Sequence, residues 1–116
     1  MCSVAQDLVG VRVVLDGAAE AYLMLPQIAA AKVWVLPHPA MARTRGDLKN
    51  GTMELPKLLL DAKVPFALQS GFESYVPKTR VVLFEAAMAA SNGLGFERAL
   101  ASITSDAARI LGVWER

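Results

Sequence analysis

Three short runs of β-branched and apolar residues punctuate the chain, Val11 to Leu15, Val33 to Leu36 and Val64 to Leu68, and each is followed by loop residues and then a helical pattern. The runs are continuous rather than alternating. Continuous apolar strands are what a parallel sheet requires when helices cover it or when it lines a barrel, so the pattern predicts a βα repeat and disfavours an antiparallel sandwich. The first helix is expected over about Ala18 to Ala31, with Pro26 as a kink or early break. A second begins near Thr52, whose hydroxyl can cap exposed amides, and turns Leu55, Leu58, Leu59 and Ala62 inward, with Pro56 fitting only near its first turn. A third runs Lys78 to Ser91 and stops at Asn92-Gly93, two residues that tolerate a left-handed backbone. A fourth spans roughly Phe96 to Leu111 and ends at Gly112. Between Met41 and Gly51 the polar segment MARTRGDLKNG, with Arg43, Arg45 and Lys49, is the expected mobile loop, its basic residues solvated.

A length of 116 residues supports a single domain over 1-116, and 54% hydrophobic content with a mean hydropathy of +0.37 supplies a real core. The 12 basic and 11 acidic residues leave a net charge of +1 with no polybasic stripe, which argues against nucleic acid as a partner. The lone Cys2 cannot form an internal disulfide, and the first residues carry no basic leader or long apolar core, so a cytoplasmic setting without a signal peptide is expected. The apolar run Ala21 to Ala42 contains Gln27, Lys32 and three prolines, which would leave polar groups unpaired in lipid, so no membrane span is expected.

Candidate chemistry gathers where the strands should end. Asp16 closes the first strand at the rim where barrel active sites are built, as a metal-binding or basic carboxylate, or as plain Asp-Gly turn chemistry capping the next helix. His38, between Pro37 and Pro39, is a ligand or proton carrier at the same rim, or part of a stiff strand exit. Gln69, Ser70, Glu73 and Tyr75 form the polar loop QSGFESY, able to hold a small ligand or simply to satisfy its own backbone. Ser70-Gly71 lacks the pattern of a nucleophile elbow, which removes serine hydrolase chemistry. Trp34, Met24, Met88 and Phe84 are expected in the core, whereas Trp114, one residue from a charged end, marks a contact with another chain.

The stretch VPFALQSGFESYVPKTRVVLFEAAMAASNGLGFERALASITSDAARILGV closely resembles the last barrel strand and following helices of metal-dependent amidohydrolases of the imidazolonepropionase-like type. Upstream, GVRVVLDGAAEAYLMLPQIAAAKVWVLPHPAM resembles the sixth and seventh barrel units of the same family. The resemblance implies an α/β fold, a partial TIM-barrel-like βα repeat with three parallel strands and about four helices. It implies a parent activity, hydrolysis of C–N bonds in amides or cyclic amides at a metal-activated water. Full-length relatives hold zinc or another divalent metal with histidines after several strands and an aspartate after the eighth. Here Asp16 stands at the sixth-strand histidine and Gln69, Ser70 and Gly71 stand where the aspartate belongs. A catalytic metal needs about three protein ligands and an open position, so no cofactor is expected for the isolated chain. A complete barrel takes about 250 residues, which implies a partner: a chain supplying the missing barrel half, or a second copy in a dimer that covers the open sheet. The alternative is a noncatalytic small-ligand-binding or assembly module built on Asp16, His38, Gln69, Ser70 and Glu73.

Overall fold

The computed structural model of the chain describes residues 12–40, 46, 49–71 and 79–116. Strand β1, Val14–Asp16, pairs in parallel with β2, Trp34–Leu36, in the register Val14 to Trp34, Leu15 to Val35 and Asp16 to Leu36. The sheet has two strands rather than three. The third run is held to β2 by a single parallel bridge between Val35 and Phe66, through Val35 N–H donating to Pro65 O at 3.0 Å and Ala67 N–H donating to Val35 O at 3.2 Å. Prolines account for the short ladder. In parallel register the next bond on one side needs the amide of residue 65 and the next on the other needs the amide of residue 37, and both residues are proline, which has no N–H.

The described residues form five α-helices: α1 Leu25–Ala31, α2 Leu55–Asp61, α3 Val82–Ala89, α4 Phe96–Ile103 and α5 Ser105–Ile110. The first expected helix starts late. A 3-10 turn, Ala21–Met24, precedes α1, and Pro26 falls in the first turn of α1, where its missing amide costs no helical bond. Thr52 Oγ1 accepts the Glu54 amide at 3.2 Å just before α2, and Pro56 again lies in a first turn. Helix α3 unwinds through Ala90–Leu94, where Asn92 and Gly93 leave helical geometry and Asn92 Nδ2 donates to Met88 O at 2.7 Å. The fourth expected helix is broken at Thr104 (φ −124°, ψ −89°) into α4 and α5. The break has a use. Ser102 O, freed from the helical ladder, accepts the Leu68 amide at 3.1 Å and ties α4 to the end of the third strand run.

The core lies between strands and helices, with Val35, Leu59, Phe66 and Ala67 fully enclosed and Ile28, Leu55, Ala86, Ala89 and Ala99 packed around them. Both helix-to-strand corners on this side read Ala-Lys-Val, at Ala31-Lys32-Val33 and Ala62-Lys63-Val64. Each lysine takes a left-handed backbone, φ 52° and φ 57°, and donates back to a carbonyl three residues earlier, Ala29 O and Leu60 O. The same local sequence therefore delivers β2 and the third run to neighbouring places. Trp34 and Met88 are half-buried. Phe84 at 61% and Met24 at 49% exposed are not in the core, contrary to expectation: α3 turns inward along Glu85, Ala86 and Ala89, and the 3-10 turn Ala21–Met24 buries Ala21 instead of Met24.

Candidate functional site

The strand-end rim is assembled by Gln69. Its Nε2 donates to Asp16 Oδ1 at 2.7 Å and lies 3.3 Å from Pro37 O and 3.4 Å from Leu36 O. All three neighbours are acceptors, so the amide nitrogen, and not its oxygen, must face them. One side chain thus ties together the ends of β1, β2 and the third run, and its contact with Pro37 O stands where a longer ladder would have placed a backbone amide.

Asp16 is exposed and does not cap a helix as the Asp-Gly turn suggested. The first helical turn begins only at Ala21, too far for a one-residue cap, and its start has no side-chain cap bond. Gly17 does need its glycine, with φ 70° and its amide donating to Leu36 O at 2.9 Å. His38 is half-buried with Nδ1 3.1 Å from Pro39 O, and it bonds neither Asp16 nor Gln69. Ser70 is half-buried and takes no hydrogen bond from the described residues. Gly71, at φ 71°, packs so closely on Pro39 that a Cβ would lie 2.7 Å from its Cγ, which fixes the loop after the third run against the exit of β2. Glu73 and Tyr75 lie outside the described residues, as do Arg43 and Arg45 of the basic loop.

Sequence reasoning missed Glu85. This residue is 4% exposed, and its Oε2 accepts the Ala40 amide at 2.9 Å, holding the segment after His38 against α3. The signal was available, since Glu85 falls on the inward stripe of α3 with Ala86 and Ala89. Glu85, His38 and Gln69 line a cavity with Thr52, Leu55 and Leu68, of about 10 Å³. That is room for about one water and none for an organic ligand.

The described part of the rim brings no set of metal ligands together. Among the described residues no group of three His, Cys, Asp or Glu side chains converges. The Asp16 oxygen nearest the third run is already bonded to an amide donor, and an N–H group cannot ligate a cation. Trp114, proposed to meet another chain, is 54% exposed and carries the Arg109 guanidinium 4.4 Å from its ring centroid, so one face is covered from within. Among the described residues no helix is long and apolar enough to cross a membrane.

Parallel strands followed by helices, with polar side chains at the strand ends, define an α/β segment. A solved structure gives it a particular likeness: the chain is similar to an amidohydrolase from Thermotoga maritima MSB8, with a TM-score of 0.79 and 32% sequence identity over 89% of this chain. The match covers 27% of that chain, so this protein corresponds to about a quarter of the solved enzyme's length. No family model matches the chain, and no curated protein does.

Proposed function

We infer that the chain is an amidohydrolase-type barrel segment that builds a stretch of strand-end rim but does not hydrolyse C–N bonds by itself. The hydrogen bond from Gln69 to Asp16 carries this reading. The resemblance sets Asp16 at a metal-binding histidine and Gln69, Ser70 and Gly71 at a metal-binding aspartate; here Gln69 and Asp16 serve each other, as a neutral donor and a carboxylate acceptor. Hydrolysis of an amide or cyclic amide needs an activated water and a group to stabilise the developing oxyanion. The described rim offers the Asp16 carboxylate bonded to Gln69, the buried Glu85 carboxylate bonded to the Ala40 amide, and a histidine turned toward its own backbone, which is too little for either task. Metal ligands would have to come from barrel units outside this chain. The small-ligand alternative is the weaker one, because the cavity beside Gln69 and Glu85 is water-sized.

The test is an assay of the purified chain, with and without added zinc, against a panel of linear amides, lactams and cyclic imides. No hydrolysis above the buffer rate is expected. Metal-dependent turnover that disappears in Asp16→Ala, with the fold intact, would overturn the reading.

A further inference from the structure

Helices α3 and α4 fold back on one another, and their outer face carries an apolar groove of about 150 Å³ lined by Leu83, Ala86, Ala87, Ala90, Phe96 and Leu100, among others. The floor is made of alanines and the rim of large side chains. Phe96 is 77% exposed and Leu83 66% exposed. We propose that this groove is the interface of a homodimer, in which each copy seats Phe96 over the alanine floor of the other.

A two-fold contact demands that one surface be complementary to itself, with projection and recess on the same patch. This face has both. The lining residues run the length of both helices at helical spacing, 83, 86, 87 and 90 on α3 and 96, 99, 100 and 103 on α4, so the start of α3 lies beside the end of α4. Charge is arranged to match. Arg80, one turn before Leu83, sits at one end of the groove; Glu97, next to Phe96, sits at the other. Both are exposed, and neither is engaged in an ion pair with the described residues. A two-fold axis through the middle of the groove brings each Arg80 to the partner's Glu97, twice per dimer, whereas a parallel arrangement would set like charges together.

The exposed parts of Leu83, Phe96 and Leu100 together amount to on the order of 300 Å². That is small for a specific interface, so the dimer it forms is weak and concentration-dependent. The groove lies in the helical layer, away from Asp16 and Gln69. The inference therefore stands independently of the amidohydrolase reading.

Light scattering coupled to size exclusion, on the full chain at about 10 and about 200 µM, tests it. The expected result is a shift from monomer to dimer across that range. Ala87→Glu, at an exposed groove position, should abolish the dimer while leaving the circular dichroism spectrum unchanged. Arg80→Glu or Glu97→Arg alone should weaken association roughly tenfold, and the two together should restore it to within about threefold of the parent. A monomer at both concentrations would overturn the proposal and leave the groove to a different polypeptide. So would a dimer indifferent to Ala87→Glu, or a double reversal as weak as the single ones. Should Ala87→Glu fail to fold, the charge-reversal pair decides alone.

Discussion

Below the strand ends, Val35, Leu59 and Phe66 are sealed among apolar neighbours, while a few ångströms above them Asp16 lies exposed and His38 and Gln69 half-open. The lower region is held by the amount and shape of apolar surface. The upper region is held by the direction of a few polar contacts. Packing fixes the fold below, while a few directed polar contacts set the arrangement at the strand ends. Stability should be sensitive to volume below and to charge above.

The largest effect is expected at the bottom. Phe66→Ala removes a side chain 2% exposed at the bridge that joins β2 to the third run, and should cost about 3–5 kcal/mol in urea unfolding, a large part of a stability of about 5–15 kcal/mol. A loss below about 1 kcal/mol would mean that the third run is not part of the core.

The next effect is at the rim and depends on pH. Gln69→Glu keeps the shape but sets a carboxylate against Asp16 and two carbonyls, and should cost about 2–3 kcal/mol at neutral pH. Like charge and acceptor-only surroundings raise the new acid's folded pKa above its unfolded value of about 4.3. The folded state then binds the proton more tightly. The penalty is therefore complete above the folded pKa and vanishes as pH falls below the unfolded one, where the protonated acid can donate as the amide did. Unfolding curves of parent and variant should converge in acid; curves that stay parallel would show that the amide's direction is immaterial.

Smaller changes sharpen the contrast. Asp16→Asn keeps an acceptor for Gln69 and should shift stability by less than about 1 kcal/mol, whereas Gly17→Val forces a β-branched residue to φ 70° and should cost about 1–2 kcal/mol. Thermal unfolding ranks the two. Lys63→Gly relieves a left-handed backbone at the corner before Val64 and should stabilise by about 0.5–1 kcal/mol, with Lys32→Gly behaving alike if the two Ala-Lys-Val corners are equivalent.

Much of the lower region could be read from the chain, because β-branched runs and helical stripes are local signals and the core residues Val33, Val35, Val64 and Phe66 lie within them. Strand number could not be taken from those runs alone. Pro37 and Pro65 look like ordinary strand-edge residues until the register shows that they occupy the two donor positions needed to lengthen the ladder. At the rim, Asp16 and Gln69 could be named from the chain but their pairing could not: they are 53 positions apart, and only the parallel register brings them together. The break at Thr104 escaped notice for a related reason. Thr104 and Ser105 return their hydroxyls to Leu100 O and Ala101 O, a competition with the helix that a periodic apolar pattern does not register.

The central claim is that the rim is closed by an amide–carboxylate hydrogen bond instead of a metal. Equilibrium dialysis of the purified chain against zinc, with the metal counted per chain, tests it most directly. Far less than one tightly held zinc per chain is expected, unchanged in Asp16→Ala. One zinc per chain that survives dialysis and is lost in Asp16→Ala or His38→Ala would contradict it.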